Sequence, residues 1–290
     1  MKKFTILIPV YNDWDSLEKL ILEINDSIKN IENVEFNCLI VNDSSTIFET
    51  KIKVPSNIAS IKLINMRINK GHARCLAFGI RYLAVKRDFD HVILMDGDGE
   101  DRPEEIKLLV SKSKDDINTS VVAKRIKRSE GFFFQLLYKI HKLITIIFTG
   151  KNINFGNYSC LTKEDVEILS TKESLWSSFS GSLKYHINKL NSVNSFRGIR
   201  YNGSSKMSFL KLIIHSFSII AVFKKNVFLR SAILLILISN ISIISNLIIT
   251  IFQILLVLFN LIIFIISLRE NKKEFFDSRN NVESEKLYMH

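Results

Sequence analysis

The chain has 290 residues and 33.5 kDa, room for one large α/β domain or two small ones. Its 47% hydrophobic residues exclude a disordered chain, and only 10 Gly and 3 Pro argue against a turn-rich β-sandwich. The formal net charge of +11 calls for an anionic partner, while three scattered cysteines, Cys38, Cys75 and Cys160, give neither a disulfide framework nor a zinc knuckle.

Residues 3–9 (KFTILIP) form a short apolar run suited to a buried strand. The run resembles a signal peptide only briefly: Pro9, Asn12, Asp13 and Asp15 end it and no small-residue cleavage site follows. Asp15 or Ser16 can cap a helix carrying Leu17, Leu20, Ile21 and Ile24. Residues 35–41 give a second strand that stops in Asn42-Asp43-Ser44-Ser45, and residues 58–65 a third. A helix over 71–87 places Leu76, Ile80 and Leu83 on one face. Residues 91–96 form a fourth strand ending in carboxylates, Pro103 opens the next helix, and residues 119–125 form a fifth strand. Strands alternating with helices predict a mostly parallel α/β sheet, whose ligands bind beyond the carboxyl ends of the strands.

Past residue 130 the pattern changes. Residues 132–149 and 207–223 are rich in Phe, Leu and Ile with embedded Lys and His, which suits helices lying in a membrane interface. Ordinary amphipathic core packing is the alternative. Between 227 and 268 the only charge is Arg230. A straight helix over 231–268 would run ~57 Å, against a bilayer core of ~30 Å. The segment therefore predicts a transmembrane hairpin, 229–248 and 252–269, with a polar turn near 250–253. Ser239, Asn240, Ser242, Ser245 and Asn246 supply polar groups for helix–helix hydrogen bonds. Lys224, Lys225 and Arg230 before it, and Arg269, Lys272 and Lys273 after it, place both ends in the cytoplasm, a multi-pass protein of the inner membrane. A membrane surface also accounts for the positive charge, so nucleic acid is set aside as a partner; a homo-oligomer stays open. The expected organisation is a catalytic domain over 1–206, a juxtamembrane helix over 207–226, two spans over 227–269, and a loose polar tail over 270–290.

Three predicted strand ends carry polar clusters, and Asp96-Gly97-Asp98 is the most informative. Two carboxylates one residue apart on a turn can hold a hard divalent cation, which takes its remaining oxygens from substrate phosphates. Glu100 and Asp101 add oxygens nearby. An EF-hand fails, because Asp101 stands where the loop needs Gly and Lys107 where it needs Glu. Dinucleotide, P-loop, H-E-x-x-H and G-x-S-x-G patterns are absent.

These segments, taken in order, resemble a family 2 glycosyltransferase of GT-A fold, in the membrane-anchored branch that includes dolichol-phosphate mannose synthases and bacterial polyprenol-phosphate glycosyltransferases. The matching pieces are Ile8-Pro9-Val10-Tyr11-Asn12, Val41-Asn42-Asp43-Ser44-Ser45, Asn69-Lys70-Gly71 with Ala77 and Gly79, the stretch from Met95 to Glu104, and Arg197-x-x-Arg200-x-x-Gly203-x-Ser205-Lys206. The resemblance implies that Pro9, Tyr11, Asp13 and Asp43, with Lys70 and Gly97, line the nucleotide-sugar. It implies that Asp96, Asp98 and Glu100 hold Mg²⁺ or Mn²⁺, and that Arg125, Arg200 and Lys206 face phosphates of the donor or of a lipid acceptor. Asp96, Asp98, Arg200 and Lys206 are then the catalytic set. Relatives have Asp-Asp-Gly-Ser where this chain has Asn42-Asp43-Ser44-Ser45, and Ala and Leu where it has Gly97 and Gly99. The implied activity is metal-dependent, inverting transfer from a nucleotide-sugar to a polyprenyl phosphate. Alternatives are a hydroxyl acceptor, with Asp101 or Glu100 as base, and a non-catalytic GT-A binding protein. Q-x-x-R-W of processive synthases is absent.

Overall fold

The computed structural model describes residues 1–47, 52–127, 132–203, 208–240 and 246–290. Its strands are β1 (Lys2–Val10), β2 (Val34–Asn42), β3 (Ser60–Met66), β4 (His91–Leu94), β5 (Val121–Lys127), β6 (Phe155–Thr162), β7 (Asn191–Phe196) and β8 (Val282–Met289). The helices of the N-terminal part are α1 (Trp14–Ile28), α2 (His72–Lys86), α3 (Ile106–Asp115), α4 (Phe132–Thr149), α5 (Lys163–Ser170) and α6 (Phe179–His186). Those that follow are α7 (Phe209–Ala221), α8 (Lys224–Ser239), α9 (Asn246–Ser267) and α10 (Lys272–Phe276). One mixed sheet runs β7-β5-β6-β4-β1-β2-β3-β8, with β1, β2, β3 and β4 parallel to their neighbours within that group.

Both faces of the sheet are covered, which is why the central strands read as continuous apolar runs. Along β1, Phe4, Ile6 and Ile8 pack with Leu17, Leu20 and Ile24 of α1 and with Ile106 and Leu109. Leu7 turns to the other layer, with Leu76 and Ile80 of α2, Val166 of α5 and Leu183 of α6. Helix α2 crosses this face closely: a Cβ on Gly79 would stand 2.4 Å from Leu7 Cδ1, so any side chain there would force Leu7 to shift.

A second layer is built from α4, α7, α8 and α9. Ile220, Ala221, Phe223 and Val227 pack with Ile263 and Ile266, and Phe148 and Phe217 both lie against Phe259. Helices α8 and α9 form an antiparallel pair. Lys224 at the start of α8 is ion-paired with Glu270 just beyond α9, and at the other end Gln253 Nε2 donates to Ser239 Oγ at 2.8 Å. No turn interrupts 250–253: α8 ends at Ser239 and α9 runs from Asn246 to Ser267, while Ser242 and Ser245 lie outside the described residues. Thr250 Oγ1 donates back to Asn246 O at 2.8 Å, so Thr250 and Gln253 are satisfied within the helices and do not interrupt α9. Among the described residues one helix, within Asn246–Phe276, is long and apolar enough to cross a membrane.

The polar stretch over 270–290, expected as a loose tail, is folded. Phe275 is fully buried in the core beneath α2, and Arg81 donates to the carbonyl of Phe276 at 3.1 Å and to Ser278 Oγ at 2.8 Å. Strand β8 pairs antiparallel with β3 from Ser60↔Met289 to Met66↔Val282. It is an edge strand, half of it charged or polar and largely exposed, which gives a weak sequence signal.

His91 at the start of β4 is 4% exposed, stacks on Phe4 with ring centroids 4.7 Å apart, and has no partner for either ring nitrogen. Burial, then the Lys2 charge, push it down from 6.5 to about 4. The unfolded chain takes up this proton below pH 6.5 while the folded ring stays neutral until about 4. This contribution is therefore whole above pH 6.5 and falls by on the order of 3 kcal/mol as the pH drops through that window. His91→Phe, which keeps the stack, should flatten the decline in chemical-denaturation stability between pH 7.5 and 4. An unaltered slope would contradict the assignment.

Candidate active site

The site is assembled from loops leaving the carboxyl ends of β1, β2 and β4 and from the segment after β7. The first two are latched together: Asp43 N donates to Val10 O at 2.9 Å, and Asn12 Oδ1 accepts from Thr46 N at 2.8 Å and Ile47 N at 3.1 Å. Asp43 is buried, and its two carboxylate oxygens accept Lys70 N and Gly71 N, each at 2.8 Å. Burial raises its pKa in spite of these bonds. Asp43 thus fixes the turn that opens α2. Asn42 Nδ2 donates to Asn65 Oδ1 at 2.8 Å and Asn42 Oδ1 accepts Ser45 N at 3.0 Å, while Ser44 sits at φ 60. The departures at 42 and 44 are absorbed by local hydrogen bonds and one left-handed residue.

The acidic loop after β4 is organised by Asp101. Its carboxylate is 4% exposed, accepts Asp96 N at 3.0 Å, and lies 3.8 Å from the Arg125 guanidinium. Burial, then the charge of Asp96, push its pKa up. Asp96 Oδ1 is held by His72 Nε2 at 3.1 Å and by Asn157 Nδ2 at 3.1 Å. Burial opposes ionisation of Asp96, but His72 and the Asn157 hydrogen bond overcome it and hold the carboxyl well below its usual range. The same contact raises His72 against the effect of burial. Asp98 is pushed up by burial and then by the charge of Asp96.

A strap over 197–203 closes the loop. Gly198 N donates to Glu100 O at 2.8 Å and Tyr201 N to Asp98 O at 2.9 Å. The Tyr201 ring covers Gly99, whose φ is +88 and whose missing Cβ would stand 2.6 Å from the ring, so Gly is required there twice over. Arg197 is ion-paired with Glu100. Arg200 donates from Nη1 to Asp98 Oδ2 at 2.7 Å and from Nη2 to Asp13 Oδ2 at 2.9 Å, a planar fork bridging two carboxylates.

The structure brings together Asp13, Asp96, Gly97, Asp98, Glu100, Arg125 and Arg200. Pro9 abuts them, its carbonyl 3.0 Å from where a Gly97 Cβ would be, and Tyr11 is 41% exposed at the rim. Lys70 does not join them: its ammonium lies 3.7 Å from Glu274 of α10. Lys206 lies outside the described residues. Asp101, expected as a further oxygen ligand or base, faces the interior. His72 and Asn157 were missed. His72 directly follows the Asn69-Lys70-Gly71 motif, which could have drawn attention to it; Asn157 carries no local signal.

Glycosyl transferase family 2 matches residues 5–177. The chain belongs to this family. The undecaprenyl-phosphate 4-deoxy-4-formamido-L-arabinose transferase of Salmonella choleraesuis (strain SC-B67) is 27% identical over 164 residues, 56% of this chain and 48% of that protein. The transferase of the same name from Salmonella typhimurium (strain LT2) shows the same identity and coverage. The chain spans about half the length of these curated relatives. Two solved structures share the fold. Glucosyl-3-phosphoglycerate synthase of Mycobacterium tuberculosis, in complex with Mn²⁺, UDP-Glc and phosphoglyceric acid, has a TM-score of 0.53 at 14% identity, covering 78% of this chain and 80% of that one. The mannosyltransferase of Pyrobaculum calidifontis, in complex with GDP-Man and Mn²⁺, has a TM-score of 0.50 at 12% identity, covering 91% and 86%. This family 2 glycosyltransferase has a mixed, mostly parallel GT-A sheet, and its acidic loop ends the central strand β4.

Arg200, Asp13 and Asp98 are each less than one-fifth exposed. Arg200→Ala leaves two half-buried carboxylates facing each other without a cation. The stability loss should be on the order of 3 kcal/mol at pH 7.5 and smaller at pH 5, where Asp98, pushed up by burial and by Asp96 and no longer held down by Arg200, takes up a proton. Thermal denaturation at both pH values checks this; an equal loss at both would contradict the bridge.

Proposed function

We propose that this glycosyltransferase moves a sugar, with inversion, from a nucleotide-sugar to a polyprenyl phosphate at the cytoplasmic face of a membrane. The observation that carries the reading is the pairing of the acidic loop, on a chain similar to undecaprenyl-phosphate transferases, with an exposed apolar helical layer. On α9, Leu247, Phe252, Leu255, Val257 and Ile265 are all more than half exposed, as are Leu143 of α4 and Leu210 of α7. Contiguous apolar surface of this extent marks contact with lipid. In this reading α8 and α9 are two spans. Because β8 returns to the same sheet as β3, the hairpin must enter and leave the membrane on one side.

The residues present suit a hard divalent cation. Asp98 stands beside Asp96 and Glu100, an all-oxygen donor set on one turn. Among the described residues no three such side chains converge as a preformed cage. Asp98, with Asp96 and Glu100 beside it, would hold Mg²⁺ or Mn²⁺ together with diphosphate oxygens. Bound there, the ion would neutralise charge growing on the departing diphosphate. Pro9, Tyr11 and Asp13 would line the base and ribose, with buried Asp43 acting through the turn it holds at Lys70 and Gly71. Arg200 is placed to leave Asp98 for a phosphate, and Arg125 lies beside the same loop. A phosphate oxygen attacking the anomeric carbon in line forms one C–O bond as the bond to the diphosphate breaks. It is already ionised at neutral pH and needs no base, so the rate comes from positioning and charge stabilisation. A hydroxyl acceptor would need a base; Asp101 is occupied by Asp96 N–H and Arg125, and Glu100 by Arg197.

The full chain in nanodiscs containing undecaprenyl phosphate should be offered a panel of labelled nucleotide-sugars with Mn²⁺ or Mg²⁺. Label should enter the organic phase, be released by mild acid, depend on the metal, and vanish in Asp98→Ala. Release of free nucleotide without lipid label would argue against the phosphate acceptor.

A further inference from the structure

Asp96 is gripped from two sides by groups that are far apart in the chain. Strand β6 runs antiparallel to β4 and pairs Ser159 with Leu94; two residues beyond that pair, on each strand, stand Asn157 and Asp96. Asn157 Nδ2 donates to Asp96 Oδ1 at 3.1 Å. Its neighbour Gly156 makes room for the Arg125 guanidinium, which a Cβ there would meet at 3.0 Å. From the other side comes His72, the first residue of α2, its place set by the hold of Asp43 on Lys70 N and Gly71 N. His72 Nε2 lies 3.1 Å from the same Oδ1 and 3.0 Å from Asn157 Nδ2. Two N–H donors do not attract each other; these nitrogens come so close because both converge on one oxygen.

The main chain of Asp96 is pinned as well, its N–H donated to Asp101 Oδ2 at 3.0 Å. With Oδ1 taken twice, the carboxylate has one orientation, and its Oδ2 has no hydrogen-bond partner among the described residues. The side chain keeps 20% exposure. Asp98 differs: its Oδ1 accepts Glu100 N at 3.1 Å and its Oδ2 is on Arg200. Of this pair, Asp96 Oδ2 is thus the oxygen that stays open while Arg200 is in place.

We infer that His72 and Asn157 are positioning residues for the divalent cation, which by occupying Asp96 Oδ1 leave Oδ2 as a single ligand of fixed direction. The inference rests on the proposed function and names what aims its metal carboxylate. A free carboxylate can chelate through both oxygens or swing away; one held at Oδ1 can do neither. Groups that orient a ligand from behind matter nearly as much as the ligand itself. The arrangement also favours one kind of ion. Mg²⁺ and ions of its size need near-ideal octahedral placement of each oxygen, whereas Ca²⁺ accepts bidentate carboxylates and loose geometry. Fixing Asp96 to one oxygen therefore selects for Mg²⁺ or Mn²⁺ over Ca²⁺.

The test titrates the full chain in phosphatidylcholine nanodiscs with Mn²⁺, alone and with UDP or GDP, and counts the free ion by its paramagnetic resonance. Ca²⁺ is the competitor, and Asp98→Ala, which should abolish binding, marks the site. His72→Ala and Asn157→Ala should each weaken Mn²⁺ about tenfold and Ca²⁺ less than about threefold, so that selectivity narrows. His72→Gln, whose amide still has an N–H for Oδ1, should stay within about threefold of the unmodified chain. A cooperative thermal transition without metal shows that the variants fold. Mn²⁺ affinity unchanged in both alanine variants, or Mn²⁺ and Ca²⁺ weakened equally, overturns the inference and leaves the function standing. A nitrogen coupling in the pulsed spectrum of bound Mn²⁺, lost in His72→Ala, would make the imidazole a ligand and overturn the positioning role. No Mn²⁺ binding, or binding that survives Asp98→Ala, overturns both the inference and the metal site of the proposed function.

Discussion

Four carboxylates within six residues, Asp96, Asp98, Glu100 and Asp101, are crowded onto the end of β4, and the surrounding structure is arranged to tolerate them. At close range like charges cost several kcal/mol in a half-buried setting unless each finds a partner. The partners come from far apart in the chain: His72 and Asn157 on Asp96, Arg125 on Asp101, Arg197 on Glu100, and Arg200 on Asp98 and Asp13. These contacts draw the N-terminus of α2, the strands β5 and β6, and the strap after β7 to one point. The charge that the donor's chemistry demands is thus also what ties the carboxyl edge of the sheet together.

The apolar hairpin is tied to the same edge from both of its ends. Before it, α7 packs on α6 of the catalytic domain, where a Cβ on Gly181 would stand 3.0 Å from Val222 Cγ2. After it, α10 sets Glu274 beside Lys70 and Trp176, with Trp176 Nε1 donating to Glu274 at 3.3 Å, and β8 extends the sheet along β3. Phe275 anchors the return by burial in the core beneath α2. A membrane-embedded hairpin held at both ends would fix the height and tilt of the catalytic edge above the lipid. On the proposed function, a tethered acceptor would arrive at a fixed depth and need such a fixed edge, since orientation would be the main resource of a catalyst without a base.

The central strands were legible because parallel strands buried on both faces are bare apolar runs, as 3–9, 35–41 and 91–96 are. The acidic turn was legible because carboxylates at a strand end have few structural uses. Strand β8 was not: its run of Glu, Ser, Glu and Lys between Val282 and Leu287 matches any solvated segment, and only the free edge of β3 gives it a place. The hairpin was legible from composition, but its turn was misplaced because Thr250 and Gln253 look like turn residues, whereas both satisfy their side chains within the helices. His72 stands just past a motif without being part of its pattern, and Asn157 carries no local signal. Their meaning comes from the carboxylate loop that the fold sets beside them, a relation no local pattern encodes. Lys70 shows the converse: it stands in a recognisable motif, yet its ammonium is drawn away by Glu274 from a segment that the sequence read as a loose tail.

On the proposed function, the loop after β4 is a metal and diphosphate site that Arg200 occupies until the donor arrives. Crystals of the full chain grown with Mn²⁺ and a nucleoside diphosphate test it most directly, by anomalous scattering at the manganese edge. The account predicts an anomalous peak against Asp98 and the diphosphate, with the Arg200 guanidinium moved off Asp98 onto a phosphate. A peak remote from Asp98, or bound nucleotide with Arg200 still bridging Asp13 and Asp98 and no manganese in the loop, would contradict it.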